Sequence, residues 1–196
     1  GLAPAAWDRA ALGIMTTDTF PKSGAVVVET SAGRFTIGGM AKGAGMLAPQ
    51  LATMLVVLTT DAIVDATTLD TGLRNATRYS FDRLDSDGCM STNDTVLLLA
   101  NGASGVEPSA LEFKTLVAEV CAELARKLIG DAEGASKDIR IHVSAADSEQ
   151  DALEVARAIS RSNLLKCAMH GEDPNWGRVL SAIGTTGAAF EPDEID

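Results

Sequence analysis

A polar, glycine-containing loop that runs directly into an apolar segment constrains this sequence most. The loop covers residues 42–52, with Gly43 and Gly45 in its first half, and the apolar run Met54–Leu58 follows after one residue. A short apolar run after a glycine loop predicts a buried strand. The residue between loop and strand is Thr53, and its β propensity alone is a sufficient reason to find it there.

A threonine at the start of a buried strand also has a chemical interpretation. Where the loop bends far enough, the Thr53 hydroxyl can attack the carbonyl of Ala52, and cleavage then leaves Thr53 with a free α-amine. That amine can act as general base for its own hydroxyl, and the strand behind it holds the nucleophile rigid. The local sequence leaves both interpretations open: a structural joint, or a self-cleaving N-terminal nucleophile.

Composition limits the classes of function. The chain has 196 residues, of which 46% are apolar and 4% aromatic, enough for a sizeable and mostly aliphatic core. Its net charge is −11, so we expect no binding to nucleic acid or to an anionic membrane. No apolar run approaches the length of about 18 residues that a membrane span needs.

The three cysteines, Cys89, Cys121 and Cys167, form no Cys-x-x-Cys pair. Their spacing predicts no zinc site, reduced thiols and a cytoplasmic setting.

Helical and strand patterns alternate along the whole length. We predict helices over 5–12, 68–84, 108–129, 148–160 and 174–183, and strands over 25–29, 34–37, 54–60, 95–99, 139–143 and 164–169. The first two strands flank Thr30-Ser31-Ala32-Gly33, a hairpin signature in which Gly33 can take a positive φ. The mixture predicts an α/β fold, an α+β layered sandwich.

The helix predicted over 108–129 has the clearest pattern. Pro108 occupies a first-turn position, Gly130 the position of a C-terminal glycine, and Glu123 and Lys127 are spaced for an i,i+4 ion pair. Apolar residues recur at i, i+3, i+4 and i+7, namely Phe113, Leu116, Val117, Val120, Cys121, Leu124 and Leu128. We therefore expect Cys121 to be a small core residue.

Five motifs occur in order and spread over most of the chain. They are Met15-Thr16-Thr17-Asp18, the stretch from Lys42 to Leu55, Ser91-Thr92-Asn93-Asp94-Thr95, Asp131-Ala132-Glu133-Gly134 and Asp173-Pro174-Asn175-Trp176-Gly177-Arg178. Together they closely resemble the ornithine acetyltransferase family, the bifunctional glutamate N-acetyltransferases of arginine biosynthesis. The resemblance implies an N-terminal-nucleophile-like, self-processing enzyme fold, with helices covering sheets and the nucleophile at the start of a strand.

The resemblance also implies a two-step acetyl transfer. Thr53 matches the residue at which family members cleave themselves, here between Ala52 and Thr53, and which then accepts the acetyl group. N-acetylornithine donates acetyl to the hydroxyl and ornithine leaves; glutamate then removes the acetyl group as N-acetylglutamate. One covalent intermediate predicts ping-pong behaviour. No cofactor is expected, and acetyl-CoA as a co-substrate stays open.

The same resemblance assigns three further substrate-binding residues, Thr16, Lys42 and Glu133. A lysine suits a carboxylate, and a glutamate suits the ammonium group of ornithine or of the acceptor. Each residue also has a structural interpretation: a turn cap for Thr16, and a solvated surface charge for Lys42 and Glu133. For Ser91–Thr95 and Asp173–Arg178 we expect structural support of the site.

The predicted cleavage divides the sequence into an α part, 1–52, and a β part, 53–196. The resemblance implies that the two fragments stay associated as a heterodimer that assembles into a heterotetramer, and we treat both as one structural unit. Family members are longer on both sides. We therefore expect the sequence to be the middle of a longer protein, with the family's Thr-Gly oxyanion donors before Gly1 and further substrate contacts after Asp196.

Two other functions stay open: a related N-terminal-nucleophile amidase or aminopeptidase, in which water replaces glutamate, and a non-catalytic fragment or paralogue that serves as an interaction domain. Other sites are not expected. Arg83 occupies the first carboxylate position of the calcium-loop-like stretch 83–88. His142 and His170 occur without a nucleophile elbow. No Gly-x-Gly-x-x-Gly or phosphate loop is present.

Overall fold

The structure is a computed structural model that describes residues 6–47, 54–89, 91–191, 193 and 195. These residues form four strands: β1 Lys22–Thr30, β2 Gly33–Lys42, β3 Leu55–Thr60 and β4 Thr95–Ala100. They also form six α-helices: α1 Ala6–Gly13, α2 Ala66–Arg78, α3 Ala110–Ile129, α4 Glu149–Arg161, α5 Asn163–His170 and α6 Trp176–Ile183. The chain divides into two compact units, Gly1–Glu133 and Gly134–Asp196, whereas one structural unit is expected from the sequence.

The first unit is built on a sheet with the strand order β1-β2-β3-β4. β1 and β2 form the predicted antiparallel hairpin, with Val26 opposite Ile37 and Val28 opposite Phe35. Gly33 has a φ of 134°, which confirms the predicted positive value. β3 runs antiparallel to β2 and parallel to β4. A parallel pair needs a crossover connection, and α2 lies in it.

One face of the sheet carries the core because the strands alternate. In β3, Val56, Leu58 and Thr60 are buried and the residues between them are partly exposed. α3 packs against β1 and β2, and α2 packs against α3 and β4. The two layers share one apolar cluster, whose largest fully buried members include Phe35, Ile37, Val56, Leu58, Phe113, Val117, Val120, Leu124 and Leu128.

α3 has the predicted ion pair and buried apolar residues, but it begins at Ala110 and not at residue 108. The Ser109 side chain accepts a hydrogen bond from Glu112 N and caps the helix, so Pro108 precedes the cap instead of standing in the first turn. The predicted Glu123–Lys127 pair forms at 2.5 Å. Cys121 is fully buried, and burial raises its thiol pKa to about 12, which keeps the core residue protonated.

The second unit contains α4, α5 and α6 around a smaller cluster of Val155, Ile159, Leu165, Ala182 and Ile183. The strand predicted over 164–169 is wrong, because these residues belong to α5. Leu, Lys, Ala and Met are good helix formers. The buried residues of α5 are Leu165 and Ala168, an i,i+3 spacing that suits a helix and not a strand.

The strand predicted over 139–143 is also wrong. A strand needs a hydrogen-bonded partner, and within the described residues every strand belongs to the sheet of the first unit. Ile141 and Val143 pack instead against the cluster of the second unit from a segment without regular structure. The helix predicted over 68–84 ends earlier, at Arg78, and a short 3-10 turn, Phe81–Arg83, follows it.

The mixed α/β class predicted from the sequence is confirmed. Among the helices that the structure describes, none combines the length and apolar character needed to cross a membrane.

Gly39 sets how closely α3 approaches the sheet. A Cβ at this position would lie 2.5 Å from Leu58 Cδ2 and 2.8 Å from Leu124 Cδ1, and both leucines are fully buried. Gly39→Ala should therefore lower the free energy of unfolding by about 1–3 kcal/mol, as measured by denaturant unfolding. Gly38→Ala is the matched control, because a Cβ there meets only ordinary contacts, the nearest at 3.7 Å. An equal loss in both variants would contradict the prediction.

Candidate active site

The predicted site residues that the structure describes lie at one end of the sheet, where β2 ends and β1, β3 and β4 begin. Thr16 precedes β1, Lys42 is the last residue of β2, and Glu133 follows α3. Ala52 and Thr53, the predicted cleavage pair and nucleophile, lie outside the described residues. The site geometry is therefore that of Thr16, Lys42, Glu133 and the residues that they contact.

Two of the predicted substrate-binding residues touch. Lys42 Nζ donates a hydrogen bond to Thr16 Oγ1 at 3.3 Å, and Lys42 is only 3% exposed. The interpretation of Lys42 as a solvated surface charge is therefore wrong. Among the described residues, no carboxylate lies within 4.0 Å of its ammonium group. Because a buried charge is stabilised by a charged partner, this ammonium group is suited to bind an anion.

The backbone after Lys42 follows a path that requires glycine. Gly43 has a φ of 151°, a value that residues with a side chain rarely adopt. A Cβ there would also come within 3.1 Å of Leu47 Cδ2. The Gly43 N–H donates to Asp18 Oδ1 at 2.7 Å. This bond ties the end of β2 to the segment that carries Thr16.

Glu133 lies against the same stretch of backbone. Its N–H donates to the carbonyl of Ala44 at 2.6 Å. Its side chain is exposed, and a Cβ on Gly45 would lie 3.2 Å from Glu133 Oε2. The structure thus brings Thr16, Lys42 and Glu133 together around the segment 42–45, although they are far apart in sequence.

Side chains of the loop before β4 accept hydrogen bonds from the backbone of Met46 and Leu47. Met46 has a φ of 54°, which is uncommon for a residue with a side chain, and its N–H donates to Asp87 Oδ2 at 2.8 Å. The N–H of Leu47 donates to Ser86 Oγ at 3.1 Å. Side chains of the stretch 83–88 thus hold the backbone of the segment that follows Gly45. In the described part of the chain, no group of three acidic, histidine or cysteine side chains could hold a metal ion.

The motif Ser91–Thr95 fixes the residue that follows the predicted nucleophile. Asp94 Oδ1 accepts a hydrogen bond from Met54 N at 2.7 Å, and the Met54 carbonyl accepts from Thr95 N at 3.0 Å. Leu55 then pairs with both neighbouring strands. Structural support by this motif was expected from the sequence, and these bonds give it a location.

The motif Asp173–Arg178 lies in the second unit and forms a helix start. Asn175 caps α6 by accepting from Arg178 N at 3.3 Å, so the helix predicted from residue 174 begins at Trp176. Arg178 Nη1 donates to the carbonyl of Leu164 at 2.6 Å, which connects α6 to α5. The motif thus organises the helices of its own unit.

A group of three charges that the sequence patterns do not predict lies beside the site. Lys22 Nζ is 2.6 Å from Asp18 Oδ1 and 2.5 Å from Asp131 Oδ2. The side chains of Asp18, Lys22 and Asp131, which we call the buried charge cluster, are at most 4% exposed. Thr19 donates to Asp131 through both its N–H and its hydroxyl, and the Phe20 ring lies 5.0 Å from Lys22 Nζ.

A sequence signal existed for part of this cluster. Asp18 and Asp131 both belong to the ordered motifs, but the family resemblance implies a role only for their neighbours Thr16 and Glu133. Lys22 carried no such signal, because it lies ahead of the predicted strand and a lysine there is normally solvated.

Hydrogen bonds keep both carboxylates of the cluster ionised. Burial raises the pKa of Asp18, but the bonds from Gly43 N–H, the Lys22 ammonium and Thr16 N–H outweigh it and hold the pKa below its usual value. Burial also raises the pKa of Asp131, and the bonds from Lys22 and from Thr19 again give a lowered pKa. Two carboxylates and one ammonium group leave the cluster with one negative charge.

Fold and site together define a class: a mixed α/β protein in which four of the five ordered motifs meet at the end of the sheet where β3 begins. Residues 2–196 match the ArgJ family, and the chain belongs to that family. The resemblance inferred from the five motifs is thereby confirmed.

Named relatives agree with this assignment. The chain is 64% identical to the arginine biosynthesis bifunctional protein ArgJ of Streptomyces avermitilis over 196 residues, 100% of this chain and 50% of that protein. It is 58% identical to the arginine biosynthesis bifunctional protein ArgJ of Thermobifida fusca over 188 residues, 96% of this chain and 48% of that protein. The chain thus spans about half the length of the curated relatives it matches.

A solved structure shows the same similarity in three dimensions. The crystal structure of the arginine biosynthesis bifunctional protein argJ from Bacillus halodurans matches with a TM-score of 0.65 and 37% sequence identity. The match covers 69% of this chain and 66% of that chain.

The buried charge cluster should make stability depend on acid pH. Because the pKa values of Asp18 and Asp131 are lowered on folding, their contribution is complete above the unfolded pKa and is lost as the pH falls through the folded values. Asp131→Asn should lower the free energy of unfolding by about 3 kcal/mol at pH 7. Its difference from the wild type should shrink as the pH falls from about 4 towards 2.

Denaturant unfolding at both ends of that range measures the effect. Asp70→Asn is the control, because it breaks an exposed 2.9 Å pair with Arg74 and should change stability far less at every pH. A difference between Asp131→Asn and the wild type that stays constant down to pH 2 would contradict the assigned ionisation.

Proposed function

We propose that the full-length protein transfers acetyl from N-acetylornithine to glutamate through an acetyl ester on Thr53, after self-cleavage between Ala52 and Thr53. The observation that carries the proposal is the convergence of the buried Lys42 ammonium group and the exposed Glu133 carboxylate on the segment that leads to Thr53. Arginine biosynthesis in the names of the similar proteins supports the substrates.

Lys42 supports binding of a carboxylate. Its ammonium group is buried, and within the described ranges its hydrogen-bond partner is a neutral hydroxyl, that of Thr16. A substrate carboxylate would supply the missing negative charge, and charge-assisted hydrogen bonds are the strong ones. N-acetylornithine and glutamate both carry an α-carboxylate, so one lysine serves both half-reactions.

Glu133 supports binding of an amine. Its carboxylate lies over Gly45, where the lack of a side chain keeps the approach open, and it is exposed. Among the substrates of the proposed reaction, only N-acetylornithine and its product ornithine carry a side-chain amine. We therefore assign Glu133 to that group.

The support of β3 fits a rigid nucleophile. Met54, the residue after Thr53, is 7% exposed and is held by Asp94. In the proposed chemistry the Thr53 α-amine takes the hydroxyl proton while the oxygen attacks the acetyl carbonyl, and ornithine leaves with a proton on its amine. The amine of glutamate then attacks the ester, which restores the hydroxyl and forms N-acetylglutamate.

The pairing of β2 with β3 supports continued association of the two fragments. Residues before and after the proposed cut share an antiparallel ladder from Ile37 opposite Thr60 to Lys42 opposite Leu55, so both fragments contribute strands to one sheet. We propose a heterodimer of these fragments that assembles into a heterotetramer. We further propose a cytoplasmic location, which the free thiols of Cys89, Cys121 and Cys167 support.

The covalent intermediate provides the decisive test. Processed protein incubated with N-acetylornithine alone should gain one acetyl group on the fragment that begins at Thr53, and added glutamate should remove it. Intact-mass and peptide mass spectrometry measure both steps. The same experiment with acetyl-CoA in place of N-acetylornithine shows whether the protein accepts a second acetyl donor.

Thr53→Ala is the control for that experiment and should give one uncut, unacetylated chain. Cleavage of Thr53→Ala at the same bond would assign processing to another group. Steady acetate release without an adduct would favour the amidase. No adduct and no release in correctly processed protein would favour a non-catalytic role.

Two substitutions test the substrate assignments. Lys42→Met removes a charge-assisted hydrogen bond of about 1.5–3 kcal/mol, so kcat/KM should fall by about tenfold to a hundredfold for N-acetylornithine and for glutamate. Glu133→Gln should reduce use of N-acetylornithine more than use of glutamate, because only the first has a side-chain amine. Steady-state kinetics with both substrates varied measure the effects.

Glu107→Gln changes an exposed carboxylate before α3 and is the matched control, with wild-type kinetics expected. Wild-type kinetics in both Lys42→Met and Glu133→Gln would show that neither residue binds substrate, even if Thr53 is the nucleophile.

A further inference from the structure

The buried charge cluster fixes two backbone segments next to Lys42: the one that carries Thr16 and the one that begins at Gly43. Asp18 accepts hydrogen bonds from Thr16 N at 3.2 Å and from Gly43 N at 2.7 Å. Gly43 directly follows Lys42, and the Lys42 ammonium group donates to the Thr16 side chain. One carboxylate therefore fixes both backbones from which the carboxylate-binding end of the proposed site is built.

The other carboxylate of the cluster holds the segment of Glu133. Asp131 lies two residues before Glu133 and accepts from Lys22 Nζ and from Thr19. Glu133 itself is joined to the strand end through its bond to the carbonyl of Ala44. Lys22 is thus the charged link between the two halves of the site.

We propose that Lys22 is a positioning residue that fixes Lys42 and Glu133 relative to each other and so sets the length of diamino acid that the site accepts. The inference rests on the proposed function, which assigns the α-carboxylate of the donor to Lys42 and its side-chain amine to Glu133. Lys22 is fully buried, so it acts through these residues and not by contact with substrate.

The physical reason is the narrow range of hydrogen-bond distances. Donor and acceptor atoms stay within about 2.7–3.2 Å of each other, so a rigid pair of charged groups fits one spacing between a carboxylate and an amine. One more methylene in the side chain changes that spacing by more than the tolerance. One ammonium group shared by two carboxylates keeps such a spacing constant, because both ion pairs are short, 2.6 Å and 2.5 Å.

The test compares two acetyl donors that differ by one methylene, N-acetylornithine and Nα-acetyl-lysine, with glutamate as acceptor and the full-length protein as enzyme. The wild type should prefer N-acetylornithine. Lys22→Met, which keeps the unbranched side chain up to the ε position and removes the ammonium group, should reduce the ratio of the two kcat/KM values by about tenfold. The loss should come mainly from a higher KM for N-acetylornithine.

Lys127→Met is the matched control. Lys127 also connects α3 to β1, because it donates to the carbonyl of Ser23 at 2.5 Å; its other bond, to Glu123 at 2.5 Å, lies within α3. Neither bond reaches the segments that carry Thr16, Lys42 or Glu133. The same substitution there should leave the donor ratio unchanged. The comparison separates two effects: the loss of any lysine contact near β1, and the loss of the fixed distance between Lys42 and Glu133.

A second variant covers the case in which Lys22→Met does not fold, because it leaves two buried carboxylates without their shared cation. Lys22→Met combined with Asp131→Asn keeps the single negative charge of the cluster and breaks the link. It should show the same loss of donor preference.

The outcomes are distinguishable. Parallel losses of activity with both donors and an unchanged ratio, in whichever of the two variants folds, would overturn the positioning role and leave Lys22 as a structural residue. A wild type that transfers acetyl from neither donor would overturn the proposed function, and the inference with it. A wild type without preference between the donors would leave the proposed function standing and overturn the inference alone.

Discussion

An ammonium group that is fully buried between two carboxylates holds together the end of the sheet on which the site lies. Lys22 bridges the segment before β1 and the segment after α3, which are more than a hundred residues apart in sequence. Removing ions from water costs several kcal/mol for each ion, and only good geometry with further hydrogen bonds offsets that cost. Here Gly43, Thr16 and Thr19 supply those bonds. The cluster is therefore stable only when the three segments take the arrangement seen.

The two buried lysines of this region differ in their partners. Lys22 is neutralised by the protein itself, whereas among the described residues Lys42 has a hydroxyl and no carboxylate. The first is suited to holding backbone and the second to binding an anion. Both lysines lie at the same end of the β1–β2 hairpin, where Lys22 is opposite Ala41 and Lys42 is opposite Leu55. Few bonds therefore separate the buried charge cluster from the ammonium group of Lys42.

Much of this arrangement follows from local sequence patterns, and the rest depends on contacts that such patterns do not contain. The hairpin around Gly33, the strands β3 and β4 and the long helix α3 were predictable because alternation and helical periodicity are local. Residues 139–143 and 164–169 were mispredicted because both are short apolar stretches whose state depends on available partners. The motifs located Thr16, Lys42 and Glu133, but the burial of Lys42 and the role of Lys22 arise from residues distant in sequence.

The ladder between β2 and β3 makes the connection between these strands dispensable for the fold that they share. Six residue pairs join the two strands directly, and Asp94 anchors Met54 from the other side. An opened peptide bond between positions 47 and 54 would release two chain ends while both strands keep their hydrogen-bonded neighbours. Covalent continuity and strand pairing are therefore separable at this connection, because the hydrogen bonds of the ladder do not depend on the chain being closed between the two strands.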